Sequence, residues 1–241
     1  MNAIQQGGSI MRRKSPDGSR EEDLAWKAYE KIRTMIFMNE IGKGQKLNHR
    51  ELVDRLNMSR TPIIQALKCM ELQGLVRNEP NRGFYVSCLG LEELEDIFQL
   101  REDLELSLLR SLSLPLTEEQ GGWLNSIFSN FIEAGRNGQF KKRLFHDMEL
   151  HLAVAGMAGR AVSRQTLRDL LDRLYLRFEQ ETLFFRGPDT SEMEHRLFLD
   201  CLIAGDREKS GQALREHLRN TRAHAVQSYK QRLSEKESWP E

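Results

Sequence analysis

Cysteine is scarce, at three among 241 residues (Cys69, Cys88 and Cys201), and no two stand at CxxC spacing. That excludes a disulfide framework and a thiolate zinc site, and it points to a reducing cytoplasm. Apolar runs are short as well. None approaches the ~20 residues that a membrane-spanning helix needs, so no membrane partner is expected. The basic cluster Arg12, Arg13 and Lys14 has no apolar stretch behind it. This excludes a secretory signal and predicts a disordered leader over 1–20. Net charge is also missing, with 36 Lys+Arg against 36 Asp+Glu. The balance argues against a nucleic-acid binder, but it hides an asymmetry. Residues 1–88 hold 15 Lys+Arg and 10 Asp+Glu, and the remainder carries the matching acidic excess. A basic front and an acidic rear suit a DNA-binding head on a body that does not itself touch DNA.

What is present is helical periodicity. Leu24, Ala28, Ile32 and Ile36 recur at helix spacing and predict a helix over about 21–38, which Gly42 and Gly44 then stop. A short helix is expected over about 49–56, a tight turn at 57–59 and a second helix over about 61–73. Pro62 falls where an early turn tolerates it, and Gly74 closes the helix. Two short helices around a tight turn make a helix-turn-helix. Strand-like runs at 75–78 and 83–87 flank the turn-prone 79–82 and predict a two-stranded wing. Ser59 or Thr61 can cap the second helix or donate to a phosphate. Arg60 is placed to reach a guanine edge or a phosphate, Lys68 to contact a phosphate further along, and Arg82, at the wing tip, to reach the backbone or minor groove. The competing reading of these cations is ordinary solvated charge.

The contiguous stretch 52–86, LVDRLNMSRTPIIQALKCMELQGLVRNEPNRGFYV, resembles the winged helix-turn-helix of the GntR family of bacterial regulators. The resemblance rests on Ser59-Arg60-Thr61-Pro62, on Glu71-Leu72-Gln73-Gly74-Leu75-Val76 and on Gly83-Phe84-Tyr85-Val86. One departure stands out: relatives carry Arg-Glu where this chain has Ile64-Gln65. The Arg there faces DNA in the family, so the resemblance implies either a different operator, with Ile64 meeting a thymine methyl, or weaker DNA affinity.

From residue 91 onward the pattern is helix after helix, over about 91–113, 117–135, 139–157, 161–186, 190–205 and 207–232, with a flexible tail at 233–241. The expected fold is mainly α: an N-terminal winged helix-turn-helix over 21–88 with a small β-hairpin wing, followed by a C-terminal antiparallel all-helical bundle over 89–232. Within the bundle, Asp147 and His151 are i and i+4 and project from one helix face. His195 and His217 lie 22 residues apart on successive helices, a separation that lets the second return beside the first. One carboxylate and three imidazoles suit Zn²⁺, Ni²⁺ or Mn²⁺. By spacing alone, the favoured reading is a surface Asp–His pair and two partly buried core histidines, since Asp-x-x-x-His occurs often by chance.

This half of the chain is similar to the effector domain of the FadR-type branch of the GntR family, commonly called the FCD domain. Its metal-binding members carry Asp-x-x-x-His, a His after Glu on a later helix and a His before Leu on the last. Here these are Asp147/His151, Glu194-His195 and His217-Leu218, with the family's Ala-Gly-Asp turn at Ala204-Gly205-Asp206. The resemblance implies that Asp147, His151, His195 and His217 hold a divalent metal; His224, seven residues and two turns beyond His217 on the same face, is by spacing the alternative ligand. His146 points off that face and reads as structural; His49 reads as a cap or surface residue. Arg101, in the family's Leu-Arg-x-x-Leu-Glu stretch, is either a second anchor for a carboxylate or the salt-bridge partner of Glu105. The implied function is a cytoplasmic, homodimeric repressor, not an enzyme. It would bind double-stranded DNA at a palindromic operator and sense a small carboxylic acid at the metal. Two other readings stand beside it: the same regulator binding a bulky acyl ligand without metal, and a metal-dependent hydrolase.

Overall fold

The computed structural model describes residues 19–177 and 188–237. The chain divides into two compact units between Cys88 and Leu89. The first contains α1 (Ser19–Phe37), β1 (Lys46–Leu47), α2 (His49–Leu56), α3 (Arg60–Leu72), β2 (Val76–Glu79) and β3 (Gly83–Val86). The expected leader falls on 1–18, outside the described residues, whereas Ser19 and Arg20 belong to α1. Ala25, Ala28, Ile32 and Ile36 are buried on the side of α1 that packs against α3.

Asn48 caps α2 by accepting from the Arg50 N–H, so His49 is the first residue of the helix and not its cap. Asn57 ends α2 in the left-handed region, with φ of 50°, which its short polar side chain tolerates. Helix α3 buries Pro62, Ile63, Ala66, Leu67 and Met70. It closes with two reversed bonds: the Gly74 N–H donates to the Glu71 carbonyl and the Leu75 N–H to the Met70 carbonyl, both at 2.9 Å. Gly74 has φ of 73°, and Leu75 is almost fully buried behind it. A Cβ at that φ costs about 1 kcal/mol or more. Gly74→Ala should therefore lower stability by that amount in denaturant unfolding, and an unchanged midpoint would contradict this account of the helix end.

The sheet differs from expectation. It has three antiparallel strands in the order β1-β3-β2, with Leu47 opposite Phe84 and Val76 opposite Val86. A strand of two residues shows no periodicity that could be read. It forms because Gly44 donates to the Val86 carbonyl and Val86 donates to that of Gln45, both at 3.0 Å, which zips the preceding loop onto β3. The wing turns through Asn81 and Gly83, both at positive φ.

The second unit is helical: α4 (Leu91–Arg110), α5 (Glu118–Arg136), α6 (Phe140–Met157), α7 (Ala161–Arg177), α8 (Pro188–Ile203) and α9 (Arg207–Glu237). The helix expected over 161–186 is described as far as Arg177, and 178–187 lie outside the described residues. The tail expected from 233 begins inside α9, which continues to Glu237; only 238–241 lie outside. Leu124, Phe128, Phe131, Leu150, Leu199 and Leu218 form the centre of the core. A capping box of Thr117 and Gln120 starts α5. Arg207 donates to the carbonyls of Leu109, Arg110 and Leu112, which satisfies the end of α4 and fixes the start of α9 against it. Gly205, at φ of 77°, reverses the chain between α8 and α9. No helix among the described residues is long and apolar enough to cross a membrane.

Candidate metal centre and DNA-facing helix

Four side chains from three helices meet inside the second unit. Asp147 and His151 stand one turn apart on α6, His195 comes from α8 and His217 from α9. One ligand atom from each lies within 4.8 Å of all the others, and all four residues are buried. The reversal at Gly205 brings this about: His195 lies ten residues before it and His217 twelve after, so the returning helix carries one imidazole opposite the other. Their ring centroids are 4.2 Å apart. His224 is not part of this group. His146 sits outside it, with its ring 3.1 Å from Glu149.

The surroundings set which nitrogen of each ring faces the site. His151 Nδ1 donates to Glu105 Oε2 at 2.6 Å, His217 Nδ1 to Glu194 Oε2 at 2.9 Å, and His195 Nδ1 to the Ser191 carbonyl at 2.8 Å. A carbonyl can only accept, so the His195 Nδ1 carries the hydrogen, and Nε2 is the nitrogen left to ligate. The same holds for a ring whose Nδ1 meets a carboxylate. The buried Nε2 atoms of His151 and His195 have no hydrogen-bond partner, although His195 Nε2 lies 3.2 Å from Asp147 Oδ1. A lone pair that faces a carboxylate oxygen in a buried site suits a cation between them. The other Asp147 oxygen is occupied: the Tyr175 hydroxyl donates to Oδ2 at 2.6 Å. The donor set therefore fits a divalent metal, with Oδ1 turned toward the imidazoles and each ring oriented by an acceptor behind it.

Electrostatics agree. Burial alone pushes the Asp147 carboxyl up, but the imidazoles packed around it, His195 first and then His151 and His217, hold it well below the usual range. Burial also works against Glu105, which His151 and Arg101 nevertheless bring down to about 2. Burial, and then the nearby His195, lower His217 to about 4, so this imidazole stays neutral and able to ligate near neutral pH. A dication would bring positive charge to the carboxylates of Asp147, Glu105 and Glu194 that meet these rings.

Arg101 resolves its two sequence readings in an unexpected way. It makes the salt bridge, donating from Nε to Glu105 Oε1 at 3.0 Å. Yet it is 1% exposed, and its Nη2 remains buried without a hydrogen-bond partner.

In the first unit, Arg60, Thr61, Gln65 and Lys68 are exposed on α3, and Arg82 is exposed at the wing tip, 3.7 Å from Glu79. Ser59 occupies the N-cap position of α3, but its hydroxyl makes no capping bond. The expected cap is thus positional only. Lys46, on β1, reaches beside Gly83 near the wing turn and adds a cation that no sequence motif marked.

Two family models account for most of the chain. The gntR family of bacterial regulatory proteins matches residues 24–86, and the FCD domain matches 96–220. The chain belongs to the GntR family of bacterial transcriptional regulators and carries an FCD domain. As a GntR-family regulator it is 28% identical over 195 residues to an HTH-type transcriptional regulator in an unstable DNA locus of Streptomyces ambofaciens, covering 79% of this chain and 80% of that one. It is 23% identical over 194 residues to the HTH-type transcriptional repressor RspR of Escherichia coli, covering 79% and 83%. Its fold is similar to that of E. coli McbR/YncC, with a TM-score of 0.76 at 20% identity over 86% of this chain and 98% of that chain. These relatives are transcriptional regulators and not enzymes, so the hydrolase reading is set aside.

Several residues of this regulator's site escaped the sequence reading. Tyr175 reaches Asp147 from another helix, and no spacing links positions 28 apart on different helices. Ser191 acts through its carbonyl, which any residue supplies. Glu105 was visible only as the i+4 partner of Arg101, and its bond to His151 spans 46 residues.

Proposed function

We propose that this GntR-family regulator is a homodimeric repressor whose FCD domain holds a divalent metal on Asp147, His151, His195 and His217 and senses a small carboxylic acid there. The observation that carries the reading is the meeting of one ligand atom from each of these four side chains within 4.8 Å, with the Nε2 atoms of His151 and His195 unpartnered and each ring held from behind by a hydrogen-bond acceptor. Zn²⁺, Ni²⁺ and Mn²⁺ all accept this donor set. When bound, the metal would supply an open coordination position to an acid's carboxylate. The chain's own contribution is orientation. Tyr175 keeps Asp147 directed, and Glu105, Glu194 and the Ser191 carbonyl fix the three ring tautomers. The buried Nη2 of Arg101 offers a second donor to the same carboxylate class.

On the DNA side, Ser59, Arg60, Thr61 and Lys68 of α3 and Arg82 of the wing contact the duplex. Two copies place their α3 helices on the halves of a palindromic operator. The repressor sign is supported by the E. coli relative that bears that name. An effector acts only if it binds more tightly to one arrangement of the dimer than to the other.

Metal analysis by plasma mass spectrometry tests the reading. Purified protein should carry about one equivalent of divalent metal per chain, and Asp147→Ala and His195→Ala should each lose it. A metal-free wild type, folded and offered metal, overturns the site and turns the search to bulky acyl ligands.

A further inference from the structure

Helix α3 carries an apolar residue beside a carboxamide, Ile64-Gln65, in its second turn, and the structure gives that pair a direction. Side chains on a helix advance roughly 100° per residue. Measured from Thr61, Lys68 lies about 20° to one side and Gln65 about 40° to the other, while Ile64 stands about 60° round toward Arg60. The opposite face is the buried one, made of Ile63, Ala66, Leu67 and Met70. Gln65 thus stands within the exposed stripe and Ile64, half-buried, forms its edge.

Among the described residues, the side chains of Arg60, Thr61, Gln65 and Lys68 have no intramolecular partner. Four adjacent polar groups on one helix face are left for an external ligand. Their chemistry is specific. A carboxamide presents one donor and one acceptor side by side, the complement of adenine N7 and N6–H₂ in the major groove. A branched apolar side chain complements the thymine C5 methyl. A guanidinium at Arg60 complements guanine O6 and N7, while the Lys68 ammonium suits a phosphate.

We infer that Gln65 is a specificity-determining residue that reads adenine in the major groove, with Ile64 seated on a thymine methyl of the neighbouring base pair. Each half-site then contains two adjacent A·T pairs next to a pair read by Arg60. This rests on α3 being the DNA-reading helix and adds the base preference at its second turn. Neither side chain of the pair is charged. Discrimination at these positions therefore comes from hydrogen-bond pattern and methyl contact.

Selection of binding sites from a random-sequence duplex pool, with the full-length protein, tests it. The wild type is expected to enrich A·T at two neighbouring positions of each half-site. Gln65→Ala should flatten one of them, reducing discrimination there roughly ten-fold or more, with the other positions kept. Ile64→Arg should convert the neighbouring position to G·C. Arg60→Ala should weaken binding while leaving the A·T pair intact. Full A·T preference in Gln65→Ala overturns the inference and leaves DNA binding standing. A wild type that enriches no sequence overturns both the inference and the DNA-binding assignment beneath it.

Discussion

Chelating the metal from the purified protein is expected to lower the melting temperature of the helical unit by about 10 °C, and restoring the metal should reverse the loss. A ligand present at a thousand times its dissociation constant stabilises the folded state by about 4 kcal/mol. Each kcal/mol moves the midpoint of a domain of ~150 residues by about 2–4 °C. The structure gives a local reason for a loss of that size. Without a cation, imidazole lone pairs and the Asp147 carboxylate face one another in a buried site. Protonation is a poor substitute, since burial holds His217 down at about 4.

This fixes the sign of a pH effect in the chelated protein. A histidine with a depressed folded-state pKa binds fewer protons folded than unfolded. Its contribution is complete above the ordinary value near 6.5 and is lost as pH falls toward 4. Melting temperatures should therefore decline across that window. A midpoint that ignores both chelator and added metal would remove the metal from this account.

The second large effect is expected at Glu105. It is 5% exposed, accepts from His151 Nδ1 and Arg101 Nε, and is the bridge between the guanidinium and the candidate centre. Glu105→Ala strands the Arg101 charge in the interior and leaves the His151 Nδ1–H without an acceptor. Breaking one half of a buried ion pair costs about 3–5 kcal/mol. Losing the group behind a metal-binding imidazole lowers metal affinity by about 10- to 100-fold. Glu105→Gln retains an oxygen acceptor and should lose less stability. In the Arg101→Met/Glu105→Gln double variant the stranded charge is gone, so the two losses should not add. Denaturant unfolding and competitive metal titration read both effects. A loss below about 1 kcal/mol with unchanged metal affinity would mean that this network neither supports the fold nor orients the ligand.

The parts of the molecule legible in the sequence are those governed by neighbours along the chain. The helix-turn-helix could be traced because Gly74 and the wing glycine Gly83 are dictated by backbone conformation within a few residues. Asp147 and His151 could be paired because i and i+4 share a helix face whatever lies beyond. His195 and His217 could be brought together in principle, because a tight turn at Ala204-Gly205-Asp206 makes consecutive helices return on themselves. Helix ends were less certain. Nothing in the residues around 233 stops a helix, and α9 runs on to Glu237.

Tertiary structure decided the rest. β1 exists only because β3 offers it carbonyl and amide partners. Arg101 was ambiguous between two uses until packing buried it, committed its Nε to Glu105 and left Nη2 over. Tyr175, the Ser191 carbonyl and the Glu105–His151 bond set which ring nitrogen is free and which Asp147 oxygen faces inward. Local sequence determines which side chains share a helix face. Whether those faces meet, and which atoms then lack a partner, depends on contacts between residues far apart in the chain, which no spacing rule encodes.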